Sequence, residues 1–184
     1  MRKRLKRHLQ NCRQRIVTNM AYDVTKIFQG APMVKLGELL EVADEYNSNG
    51  LKLQFFGVNK DKQFMPTIAN TEGLNPTKYK IIRKNIFVFS GMQTGRDMCI
   101  RFALYTDDNP VLLSPAYTLL RVKDESIIIP EYLFIYFLSS ERDRLGAFYS
   151  DASVRANLEL YRFFQMEIPL PAIEVQREYV AAYR

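Results

Sequence analysis

The sequence predicts an α+β protein: a loop-rich domain of mostly antiparallel strands and short helices, flanked by a long N-terminal helix and a C-terminal helix. Three observations predict it. Residues 3–28 carry an apolar stripe at helical spacing with almost no defect. From residue 34 to about 123, short apolar runs alternate with clusters of Asn, Gly, Asp and Pro. From Pro130 onward helical patterning returns, broken by one strand that stops at Pro169-Leu170-Pro171. The expected organisation is a helical unit over 1–30, a domain over 31–171, and the start of a further helix over 172–184.

Taken in order, the first helix places Leu5, Leu9, Cys12, Ile16, Met20, Val24 and Ile27 three or four residues apart, and Gly30 and Pro32 end it. At 1.5 Å per residue it would run roughly 39 Å. So long a stripe, with a basic back, is suited to packing against another helix, although packing on its own domain remains the alternative. Strands are expected over 38–43, 53–58, 86–90, 99–105 and 117–122, with antiparallel pairing and an irregular rim of turns. Pro130 at a first-turn position opens a helix over 131–138 that is apolar nearly all round and therefore buried. Shorter helices follow over 141–148 and 158–164, then a strand over 165–168. Pro169 lacks the N–H that a sheet ladder needs, Leu170 is pushed toward extended geometry by the following proline, and Pro171 suits a helix start. Glu174 then puts negative charge near the positive end of a helix over 173–183. That helix meets no glycine or proline stop, as if the chain continued or ended against a partner.

A hydrophobic content of 47% is enough for a real core. Cys12 and Cys99 stand far apart and form neither a disulfide framework nor a zinc pattern, so a cytoplasmic location and two buried thiols are expected. No signal peptide is visible, and the most apolar run, 127–138, is interrupted and too short to span a bilayer. The chain carries a net charge of +6, unevenly spread. Residues 1–30 hold eight Lys and Arg against one acid, and residues 48–105 nine against three, whereas residues 106–184 hold eight against twelve. Basic regions of this kind mark either a polyanion partner or a solvated face.

Catalytic constellations are missing. The one histidine, His8, lies on the basic face of the first helix and is expected to be solvated. The segment from Gly91 to Arg96 lacks the Gly-Lys-Ser/Thr ending of a phosphate loop. Asn75-Pro76 and Asn109-Pro110 read as turns, as do the acids Asp107, Asp108, Asp124 and Glu125. No metal site is assigned.

The central block does carry the residue types that contact DNA. Lys and Arg position on phosphates, and Asn, Gln and Arg bond paired base edges. Asn59, Lys60, Lys62 and Gln63 cluster in one turn. Gln93, Thr94 and Arg96 sit in a loop flanked by Gly91 and Gly95, whose glycines would permit close backbone approach, and Arg101 lies on the next strand. Read alone, each cluster is also an ordinary polar loop. Lys62 and Arg96 are both expected to be exposed, so that alanine at either would weaken DNA binding and leave the fold intact.

Several segments resemble the specificity subunits of type I restriction-modification systems. They are Val34-Lys35-Leu36-Gly37-Glu38-Leu39, Phe87-Val88-Phe89-Ser90, the Tyr/Leu-rich run over 132–138, Ser153-Val154-Arg155-Ala156-Asn157-Leu158, and Pro169-Leu170-Pro171 followed by Glu174 and Gln176. The resemblance implies a target-recognition domain that reads one half of a split site in double-stranded DNA and has no catalysis of its own. Arg155 thereby joins the candidate DNA contacts. It further implies no directly bound cofactor, docking to an adenine-N6 methyltransferase subunit that uses S-adenosylmethionine, an ATP-dependent restriction subunit in a larger complex, and a C-terminal spacer helix. Family members usually hold two such domains, so this chain is expected to be a fragment or a half-subunit that dimerises through its terminal helices. The alternatives are a DNA-acting enzyme, either a nuclease or a methyltransferase fragment, and a scaffold that binds an acidic protein.

Overall fold

The computed structural model describes residues 30–67, 71–151 and 153–184. The predicted helix over 3–28, with His8 and Cys12, lies outside the described residues. In chain order the strands are β1 (Met33–Lys35), β2 (Leu40–Val42), β3 (Phe55–Val58), β4 (Phe64–Pro66), β5 (Lys80–Ile82), β6 (Phe87–Ser90), β7 (Arg101–Leu104), β8 (Val111–Leu113), β9 (Thr118–Val122) and β10 (Glu167–Pro169). The helices are α1 (Leu36–Leu39), α2 (Thr94–Asp97), α3 (Pro130–Tyr136), α4 (Ser140–Tyr149), α5 (Leu160–Gln165) and α6 (Ile173–Tyr183).

The first and last strands pair antiparallel, with Val34 opposite Ile168 and Met33 opposite Pro169. Leu36 N–H donates to Met166 O at 2.9 Å and Leu170 N–H to Pro32 O at 2.9 Å, extending the ribbon at both ends. The strand expected over 38–43 is corrected. Its first part is the single helical turn α1, and extension resumes only at Leu40. Leu36 and Leu39, three apart, both point into the core, which an extended chain would not allow.

Two four-stranded sheets follow. One has the order β2-β9-β6-β7 and is antiparallel throughout. The other has the order β4-β3-β8-β5, and its β3–β8 pair is parallel. The first sheet is the middle of three layers, because its two faces feed two different cores. Phe87, Phe89, Phe102, Leu104, Leu120 and Val122 join the helices, while Val88, Ala103 and Leu119, the alternate positions, meet the second sheet. The helical side is aromatic: Phe87 stacks on Phe102 at 4.5 Å, Phe89 on Phe163 at 4.5 Å, and Phe137 meets Phe102 edge-on at 5.0 Å. Each such buried ring contributes about 1.5–3 kcal/mol relative to exposure. α3 is buried on most of its surface, as its composition predicts. Strands β1, β4, β5 and β8 were not expected. Each has three residues, and the residues of β5 and β8 are all buried, so no alternation marks them.

The proline corner is held from behind by Gln176, whose side chain is fully buried. Its Nε2 donates to Ile127 O and Pro171 O, both at 2.9 Å, and its Oε1 accepts from Ile129 N at 2.9 Å. One side chain thus satisfies backbone groups on the approach to α3 and at the start of α6, where the N-cap residue Ala172 makes no side-chain bond. Among the described residues no helix is long and apolar enough to cross a membrane.

Candidate nucleic-acid interface

The turn between β3 and β4 is closed by Asn59. Its N–H donates to Gln63 O at 3.0 Å, its Oδ1 accepts from Gln63 N at 2.9 Å, and its carbonyl accepts from Lys62 N at 3.1 Å. Lys60 and Gln63 are exposed on this turn. Lys62 is not, and the expectation of an exposed Lys62 is corrected: the residue is 5% exposed and adopts φ 59°. Its ammonium turns inward, donating to Phe137 O and pairing with Asp143 Oδ1 at 2.8 Å. The same Asp143 oxygen accepts from Ile100 N at 2.9 Å. Lys62 therefore pins the turn to the helical layer instead of facing solvent.

The loop from Gly91 to Met98 contains the single turn α2, entered through Gln93 and left through Met98, both left-handed at φ 58° and 49°. Thr94, expected in an exposed loop, is fully buried and donates its hydroxyl to Gly91 O at 3.0 Å. The Ser153-to-Leu158 segment lies directly against this loop. Leu158 N donates to Gly91 O at 2.8 Å, Gly95 N to Ala156 O at 2.9 Å, and Gln93 N to Asn157 Oδ1 at 3.0 Å. Two segments far apart in sequence form one surface, with Arg96 and Arg155 exposed on it. Asp151 gathers the second segment by accepting from Ser153 N at 3.0 Å and Asn157 N at 3.1 Å, and the Ser153 hydroxyl bond, ahead of these, holds its carboxyl below the usual carboxylate range.

The glycines serve space, not left-handed backbone. A Cβ at Gly91 would lie 1.7 Å from Leu158 O, and one at Gly95 would lie 2.8 Å from Ala156 Cβ. Gly91→Ala is expected to push the 153–158 segment off the loop, visible as faster amide exchange over both segments and a lower thermal midpoint. A carbonyl oxygen cannot yield as the end of a flexible side chain does.

Cations from the first turn and the second loop converge on Asp97, whose side chain is 9% exposed. Arg101 Nη2 lies 2.6 Å from its carboxylate, Lys60 Nζ 3.2 Å and Arg96 Nε 3.7 Å. Arg101 also donates to Met92 O at 2.8 Å, and Arg96 to Gln93 Oε1 at 2.7 Å. Beside them opens a cleft of about 380 Å³ lined by Ser90, Met92, Gln93, Arg101, Ser114 and Tyr117. The structure thus gathers Asn59, Lys60, Gln63, Gln93, Arg96 and Arg155 on three adjoining loops, with Arg101 beside them at the start of β7 and Lys62 and Thr94 as inward supports. Asp97 was missed, although an acid within so basic a block was the available signal. Asp107 and Asp124 cap turns: the first accepts from Asn109 N and the second from Ser126 N, both at 2.8 Å. Asn75 likewise caps the turn Pro76–Lys78.

No curated protein matches this sequence. Among solved structures, one chain from work on complex assembly and conformational transition of the type I R-M system superposes with a TM-score of 0.56 at 18% identity. The HsdS subunit from Thermoanaerobacter tengcongensis superposes with a TM-score of 0.51 at 18% identity. Each match covers 98% of this chain and 46% of the other, so the chain spans about half the length of those it resembles. Residues 30–182 match the family model described as Type I restriction modification DNA specificity domain, and the chain belongs to that family.

Proposed function

We propose that this domain reads one half of a split target in double-stranded DNA, as the non-catalytic specificity element of a type I restriction-modification complex in the cytoplasm. The observation that carries the reading is the meeting of the 59–63, 91–98 and 151–158 loops, which puts Lys60, Arg96 and Arg155 on neighbouring loops, near Arg101 at the start of β7 on the wall of an open cleft. Lys and Arg there would position on phosphates, and Gln93, Asn59 and Gln63 would meet base edges. The methyl transfer would belong to a partner adenine-N6 methyltransferase subunit using S-adenosylmethionine, with an ATP-dependent restriction subunit in the larger assembly. The 1–30 and 172–184 segments would act as spacers and join two copies, setting the distance between half-sites.

Duplex binding measured across salt concentrations tests this, since log affinity should fall linearly with log salt. Arg96→Ala should weaken binding to all sequences and lower that slope by about one, with thermal stability unchanged. Co-expression with a type I methyltransferase subunit should yield a stable complex and a defined set of methylated adenines. The absence of both association and new methylation would sink the reading.

A further inference from the structure

We infer that Asp97 is a positioning residue that restrains the DNA-facing cations and so trades general affinity for sequence discrimination. The inference rests on the DNA-reading function proposed above. Asp97 is the shared partner of three cations that come from different parts of the chain: Lys60 from the β3–β4 turn, Arg96 from α2 and Arg101 from β7. Lys60 and Arg96 have side chains 63% and 61% exposed, so packing does little to fix their long, rotamer-rich stems, and Arg96 is tied by Asp97 together with Gln93 Oε1. Arg101, 16% exposed, is held at both ends of its guanidinium, by Asp97 and by Met92 O, on the wall of the cleft. The carboxylate itself is rigidly carried, between the left-handed Gln93 and Met98.

Two consequences follow in the same direction. First, one negative charge among three positive ones lowers the local field that any phosphate backbone feels, which weakens sequence-independent attraction. Second, the cations are held near fixed positions before DNA arrives, so the ordering loss on binding is smaller for a duplex whose groups match those positions. A site without Asp97 would hold three mutually repelling cations, with Lys60 released and Arg96 and Arg101 each keeping one of two restraints, and would bind duplexes with less regard to sequence. Burial opposes ionisation of Asp97, yet bonds from Arg101 and Lys60 outweigh it and keep the carboxyl below the usual carboxylate range, so the restraint is present at neutral pH.

The test uses the full chain and duplexes selected by it from a random library, compared with scrambled duplexes. Asp97→Asn keeps the size, removes the charge and leaves one acceptor oxygen where the carboxylate offers two. It should raise affinity for scrambled duplexes about 3–10-fold, steepen the salt slope by about one, and shrink the selected-to-scrambled ratio about tenfold. Asp97→Glu keeps the charge and moves it by one methylene: scrambled affinity should stay at the wild-type value while the ratio still falls. Lys60→Ala should weaken both duplex classes and preserve the ratio. A parallel loss of affinity for both duplex classes in Asp97→Asn, or an unchanged ratio, would overturn the inference. If Asp97→Asn fails to fold, an unchanged ratio in Asp97→Glu overturns it equally. A wild-type chain that binds no duplex would overturn the DNA-reading function itself.

Discussion

Lys62→Met is expected to lower the free energy of unfolding by about 3 kcal/mol, read from urea midpoints at constant slope. The methionine fills similar volume, so the loss is electrostatic and not a cavity. Asp143 would keep a charge that is 18% exposed and lose its cationic partner, and Phe137 O would lose a donor. Breaking one side of a buried pair is worse than removing both, because the remaining charge is stranded. Lys62→Met with Asp143→Leu should therefore recover part of the loss. Recovery should stay incomplete, because Ile100 N also depends on Asp143 Oδ1. A fall in DNA binding for Lys62→Met without a fall in stability would mean that the ammonium faces the ligand after all.

Gln176→Leu should cost about 3 kcal/mol as well, by a different route. Ile129 N, Ile127 O and Pro171 O would each lose their bond to the Gln176 side chain, and a buried polar group left unmade, as at Pro171 O, costs on the order of 1–3 kcal/mol. Gln176→Glu should be no milder at neutral pH, since it retains the acceptor for Ile129 N but offers no donor to the two carbonyls. Hydrogen exchange at Ile129 and over α6 gives the readout. Protection equal to wild type in Gln176→Leu would show that the corner is held by its prolines alone.

Long, strongly periodic elements were legible. The helix expected over 173–183 is α6 to the residue, since the proline corner before it leaves the chain no other start. The helices expected over 141–148 and 158–164 are α4 and α5 within two residues at each end. Of the three-residue strands, β2 and β10 fall within or against expected runs, whereas β5 and β8 escaped because all their positions are buried and no alternation marks them. The basic face was legible as composition but not as orientation. Nothing local distinguishes Lys60, which faces solvent, from Lys62, which is buried, because the difference depends on Asp143, far along the chain. Thr94 is hidden for the same reason: its neighbours come from α4, where a Cβ on Gly146 would lie 3.4 Å from its methyl group. Gln176 was marked by resemblance, while its role as a three-way clamp required the fold.

The β1–β10 ribbon has a mechanical consequence. Everything between Lys35 and Glu167, which includes the whole second core, most of the helix-side core and all three loops of the basic face, lies inside a stretch of chain whose two ends are clasped together. A torque applied through either flank would reach the reading face through that clasp and through the packing of α6 on the core.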